Sequence, residues 1–197
     1  YILSKLKATQ GMVQGMSYWV YSDLFEEPGP QEKAFQGGFG LMTRDGIRKA
    51  SWFAYKYLHA LKGNEIPSKD NQVWASWDGH TLSAVIWDYQ HPDQKGTSTG
   101  TFFSKLQPNQ PSAPIKVKLN GLAPGRYRVA VQRTGYRVND AYSAYIAMGA
   151  PKDLTPAQLA QLQAMTRDAP ESDKTITVGK TGEASISLSM HSNDVVL

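Results

Sequence analysis

The 197-residue sequence has no cysteine, which excludes a disulfide framework and a thiol nucleophile but leaves the compartment open. No run approaches eighteen consecutive apolar residues, so no membrane span is expected. The only histidines are His59, His80, His91 and His191, too scattered for metal-ligand spacing. An HExxH pair, a GxSxG elbow and a phosphate loop are all missing. No metal or other cofactor is therefore expected. Excess charge is modest, +4 with a pI near 9.2, and Lys and Arg are spread along the chain. That distribution describes a basic solvated surface and gives no reason to expect a nucleic-acid partner. Initiator Met and signal-peptide pattern are also lacking. Tyr1 falls in an apparent helix and Val195 to Leu197 in a strand-like run, so both ends read as interior to a longer chain.

What is present changes its period near residue 65. Residues 1 to about 62 read as helix, strand, helix. Tyr1, Ile2 and Leu6 suggest the tail of an amphipathic helix. Residues 16–21 are aromatic and apolar with little alternation, as in a strand covered on both faces. After a loop rich in Gly and Pro, Ile47, Ala50, Ala54, Tyr57, Leu58 and Leu61 mark one helix face that stops near Gly63. From about residue 70 the period is two. Residues 73–77, a tight Asp78-Gly79 turn and residues 81–87 read as a hairpin. Ile115, Val117 and Leu119, then Tyr127, Val129 and Val131, then Ile176 with Val178, and Ile186, Leu188 and Met190 continue the alternation. One helix interrupts these strands, with Thr155, Pro156 and Gln158 as its capping signature. Linkers are expected at 63–70 and 107–114. The fold class is α/β plus all-β: a βα unit of a barrel-like fold over 1–65, then a β-sandwich with an inserted helix over 66–197.

A buried parallel strand needs partners on both edges and cover on both faces. One helix–strand–helix segment cannot supply them, since a complete barrel takes about 250 residues and roughly 60 are available. Either the strand's neighbours lie on other sequence, or residues 16–21 join the downstream sheet.

The stretch SYWVYSDLFEEPGP, residues 17–30, carries the chemistry worth weighing. Glu26 and Glu27 are adjacent, so in extended chain they point to opposite faces and would not both confront one bond. Such a pair suits hydrogen bonding to a polyol, or simply a solvated turn. Trp19 near the strand's end is either an aromatic platform for a sugar ring or a core residue. Tyr18 and Tyr21 read as packing residues, Asp23 and Asp45 as residues that fix loops or cap a helix. The run from Gly37 to Gly40 is a weak nucleotide signal and reads better as a turn passing close beneath the site. Trp74, Trp77 and Trp87 are core positions or an exposed sugar platform.

YWVYSDLFEEPGP followed by FQGGFGLMTRDGIRKASWFAYKYL resembles the last barrel strand, loop and helix of family 39 glycoside hydrolases, the bacterial β-xylosidase group. GLAPGRYRVAVQRTGYRVNDAYSAYIAMGAP and LTPAQLAQLQAMT are similar to the C-terminal β-rich domain of some members. The resemblance implies a retaining (β/α)8 barrel with an attached β-sandwich, acting on β-linked xylosides. It places residues 1–65 as helix seven, strand eight and helix eight. The acid/base and nucleophile glutamates then lie upstream of Tyr1, and this chain alone would be inactive. By the same resemblance Trp19 stacks against the sugar in the innermost subsite, and Glu26 and Glu27 bind rather than cleave. The implied partners are a xylo-oligosaccharide and the remainder of the chain's own barrel. The alternative from another class is a non-catalytic carbohydrate-binding or structural β-sandwich module.

Overall fold

The computed structural model describes every residue except Glu26, Pro28, Pro30 and Phe103. Its central element is a five-stranded antiparallel sheet in the order β1-β2-β3-β9-β6, built from β1 (Asn64–Ile66), β2 (Val73–Trp77), β3 (Leu82–Trp87), β9 (Val195–Val196) and β6 (Arg133–Thr134). Successive residues on a strand face opposite ways. On β3, Val85 and Trp87 therefore enter one core while Ile86 enters another, and Val195 and Val196 divide in the same manner.

One face of the sheet is covered by helices α1 (Ile2–Ala8) and α2 (Ala50–Ala60). Leu3, Phe53, Ala54 and Tyr57 pack there against Val85 and Trp87. The other face is covered by two antiparallel ribbons. One pairs β4 (Ile115–Leu119) with β8 (Ala184–Leu188), and the other pairs β5 (Gly125–Val131) with β7 (Ser172–Val178). Val131 and Leu188, from one strand of each ribbon, close a core with Ile86, Met190 and Val196.

A third core joins Ala34 and Ile47 to helices α4 (Ala141–Ala147) and α5 (Pro156–Met165) through Ala141, Tyr145 and Leu162. A short helix, α3 (Thr99–Phe102), lies between β3 and β4. The capping box expected at Thr155 and Gln158 is present, with Pro156 in the first turn.

Polar groups tie the helical layer to the strands. Asp168, buried and at φ +62°, accepts from Lys56 and, at 2.7 Å, from the Tyr57 hydroxyl, both on α2. Asn139 and Gln132 donate to the same carboxylate. Burial raises the Tyr57 hydroxyl pKa, and the Asp168 carboxylate raises it further. Beside this hub, Arg133 bridges Glu171 at 2.8 Å and buried Asp194 at 2.7 Å.

Several expectations are corrected. Residues 16–21 do not form a strand covered on both faces: Trp19 and Tyr21 are more than half exposed, and Met16 is exposed as well. Nor do they join the downstream sheet. The described residues offer this backbone only residues 41 and 42, too little to build a ladder. Ile47 lies outside α2, whose helix begins at Ala50, and packs in the third core instead. Residues 64–66 of the expected linker are an edge strand paired to β2. Gly63 stands where its chain crosses β2's end, and a Cβ there would lie 2.5 Å from Asp78 Cα. The hairpin turn is looser than Asp-Gly, because the Asp78 carboxylate accepts the N–H groups of both His80 and Thr81. In α1 the buried residue is Leu3 rather than those at 1, 2 and 6. The β-rich half carries α3 and α4 besides the expected helix. Trp87 is core at 2 % exposure and Trp74 packs on it, whereas Trp77 stays 41 % exposed.

Candidate functional site

The candidate site is built on residues 18–25 and on the loop 37–49 that braces them. In extended backbone alternate side chains face alternate ways. Tyr18 turns toward α2, its ring 5.7 Å from that of Tyr55. Burial pushes its hydroxyl pKa upward, a Ser51 hydrogen bond pulls it down, and the Asp23 charge adds to the rise. Trp19 turns the other way and is 64 % exposed, against the edge of the Phe25 ring at 5.5 Å. The Trp19–Val20 peptide is cis. Tyr21 follows Trp19 outward at 65 % exposure, which corrects its expected packing role. Leu24 and Phe39 are also exposed.

Behind this surface is a buried polar lock. Asp23 is 1 % exposed. Its Oδ1 accepts from the Gly40 N–H and from Lys49 Nζ, each at 2.7 Å, and its Oδ2 lies 2.6 Å from the same ammonium. Lys49 also donates to the Gly38 carbonyl at 3.0 Å. The pair is held through Asp23 Oδ1, which takes both hydrogen bonds, while Oδ2 has the ammonium's charge beside it without a hydrogen bond. Gly40 must lack a side chain. A Cβ would sit 2.5 Å from the Ser22 carbonyl carbon and 2.6 Å from Asp23 Oδ1.

At Gly40 the chain therefore passes close beneath the segment, whereas Gly37 has open space and serves the turn through its φ of +82°, and Asp23 fixes a loop. Backbone bonds complete the brace: Leu41 and Met42 N–H donate to Val20 and Tyr21 carbonyls, and Asp23 N–H donates to Met42. Residues 41–43 in turn pair with 47–49, through Thr43 to Ile47 at 2.9 Å and Lys49 to Leu41 at 2.9 Å. Asp45 pairs with Arg44, and its carbonyl accepts from Gln163 of α5.

Of the residues named from sequence, Trp19 and Glu27 are both exposed, and Glu26 lies outside the described residues. Trp19 is brought together with Phe25, which sequence reasoning passed over although it stands directly before the acidic pair. Lys49 was also missed. Its signal was weak: a lysine at the N-cap of α2, with its partner 26 residues upstream. Among the described residues no cluster of three metal-ligating side chains occurs, and no helix is long and apolar enough to cross a membrane. What the arrangement offers is an exposed Trp19–Phe25 pair on a braced backbone, with the tryptophan open for stacking.

Comparison with known proteins gives three concordant findings. Residues 1–184 match the profile of glycosyl hydrolases family 39. A β-xylosidase of Geobacillus stearothermophilus is 36 % identical over 90 residues, 45 % of this chain and 18 % of that protein. Two crystal structures are similar over the whole chain, each at 54 % identity: a family 39 enzyme from Xanthomonas axonopodis pv. citri, TM-score 0.94, and a monomeric β-xylosidase from Caulobacter crescentus CB15, TM-score 0.92. The chain spans 38 % and 39 % of those two structures.

Proposed function

The chain belongs to glycosyl hydrolases family 39, and from that premise we propose that it is the C-terminal part of a retaining β-xylosidase releasing xylose from the non-reducing ends of xylo-oligosaccharides. In this reading residues 1–65 supply helix seven, strand eight and helix eight of a (β/α)8 barrel, and residues 66–197 form a β-sandwich accessory domain. The observation that carries it is the asymmetry of residues 18–25. One side is locked onto α2 and the 37–49 loop, while Trp19, Tyr21 and Phe25 stand open on the other. A barrel strand requires a neighbour along each edge. The neighbours of this one are assigned to the remainder of the barrel, upstream of Tyr1.

The same upstream sequence holds the acid/base and the nucleophile. In a retaining glycosidase these carboxyls stand about 5–5.5 Å apart across the scissile bond. One protonates the leaving oxygen while the other attacks the anomeric carbon. The first then deprotonates the water that releases the sugar from the glycosyl-enzyme. Glu26 and Glu27, adjacent in sequence, are assigned hydroxyl binding instead. Trp19 is assigned the ring face beneath the sugar, where aromatic contacts contribute about 0.5–1.5 kcal/mol beyond their buried area.

The test is Trp19→Ala and, separately, Glu27→Ala in the complete protein. Each is expected to lower kcat/KM on an aryl β-xyloside by about tenfold or more, a loss of ~1.4 kcal/mol of transition-state binding. Activity within about twofold of wild type for both would defeat the site assignment.

A further inference from the structure

A cleft of about 830 Å³ opens between residues 88–95, 107–113 and 191–193, at the end of the central sheet where β3 and β9 run out. Its size falls within the roughly 300–1,000 Å³ of ligand-binding pockets. One wall is rigid. The Asn193 N–H donates to the Asp88 carbonyl at 2.6 Å, and the Gln90 N–H donates to Asn193 Oδ1 at 3.1 Å. Ser192 and Gln110 exchange two more bonds, at 2.9 and 3.2 Å.

The charges say what the cleft would refuse. Its lining carries two carboxylates, Asp88 and Asp93, and one ammonium, Lys95. Asp88 is already engaged by neutral donors, the Gln90 amide at 2.8 Å and the Ser112 hydroxyl. That balance suits neither a phosphate, which requires converging cations or backbone N–H groups, nor a divalent cation, which requires several carboxylates.

The remaining lining is neutral and two-natured. The Gln110 amide can donate and accept at once, as sugar hydroxyls do, while Gln107, whose Nε2 donates to the Phe102 and Lys105 carbonyls, keeps its acceptor oxygen, and Asn193, whose Oδ1 accepts from Gln90, keeps its donor nitrogen. Phe102 and Pro111 supply flat apolar faces of the kind that cover the C–H face of a pyranose. Behind the lining, Asn109 Nδ2 donates to the Ser192 carbonyl at 3.1 Å and braces the wall.

We infer that the cleft between residues 88–95, 107–113 and 191–193 binds a neutral oligosaccharide. The polyol chemistry comes from the lining; the choice of a xylan fragment as probe rests on the proposed function. Ala113 and the side chains of His91 and Gln110 are exposed on the cleft and free of hydrogen bonds to the core, so they can be altered without unfolding it.

The experiment is ligand-dependent hydrogen exchange on the complete protein with sulfur-linked xylotetraose, which resists hydrolysis. Amides of 88–95 and 107–113 are expected to gain protection. Ala113→Trp, which fills the cleft, and the double variant His91→Ala/Gln110→Ala are each expected to raise the half-saturating concentration for that protection about tenfold. Trp19→Ala is expected to leave it within about twofold. Protection absent from these segments, unchanged in both cleft variants, lost in Trp19→Ala, or reproduced by inorganic phosphate or magnesium would overturn the inference. Loss of the xylosidase reading would instead register as absent turnover of an aryl xyloside by the complete wild-type protein, with cleft protection intact.

Discussion

Two aromatic-rich regions of this chain, α2 with its sheet face and residues 18–25, are close in composition and opposite in fate. On α2, Phe53 and Tyr57 are fully buried against Val85 and Trp87. In the other region Trp19, Tyr21 and Phe25 are more than half exposed. The first has a polar hub, Asp168, that fastens helix to strands, and the second has Asp23 and Lys49, which fasten only the back of the segment. Burying an aromatic side chain is favourable by about 1.5–3 kcal/mol, so a rigid backbone that holds three such rings in the open points to a surface that something else covers.

The comparison can be broken by mutation, beginning where the effect is largest. Phe53→Ala removes a ring with no solvent access and is expected to cost about 3–5 kcal/mol in urea unfolding. Asp168→Ala strands the Tyr57 hydroxyl and removes one of two acceptors from each of the Asn139 and Gln132 amides. A loss of about 2–4 kcal/mol is expected, with little from the half-exposed Lys56 pair.

Tyr57→Phe should cost about 1–2 kcal/mol and also change the pH profile. The Tyr57 pKa is raised in the folded state, so its contribution is complete below the unfolded tyrosine value near 10 and falls as pH rises beyond it. Stability of the wild type should therefore decline above about pH 10 more steeply than that of Tyr57→Phe. Smallest is Trp19→Ala, expected to shift the unfolding midpoint by no more than about 0.5 kcal/mol while lowering turnover in the complete protein. A large stability loss there would erase the distinction between the two regions.

Much of the strand pattern was legible because period-two alternation is a local property. Lys116 and Lys118 between Ile115, Val117 and Leu119 could face only one way in a half-buried strand. The capping box at Thr155 was legible for the same reason. Helix α4 was missed although Asp140 accepts from the Ser143 N–H as its cap. The alanines and tyrosines that follow carry no strong apolar stripe until Phe35, from distant sequence, packs on them. Of the two places open for the neighbours of residues 16–21, the downstream sheet is excluded; an apolar run states that cover is wanted, never where the cover is encoded. Trp19 stood out by its position as either platform or core residue, and the structure shows it exposed. Phe25 and Lys49 become meaningful only when residues 20–23 and 37–49 are set side by side.

Under the proposed function, residues 16–21, which form no strand in this chain, pair as a barrel strand with the rest of the protein. Amide hydrogen exchange on this segment, measured in the isolated chain and in the complete protein, tests it most directly. The account predicts rapid exchange along the segment in the chain alone, because residues 41 and 42 engage only the carbonyls of Val20 and Tyr21, and slowing by about a thousandfold in the complete protein. Equal rates in the two would contradict it.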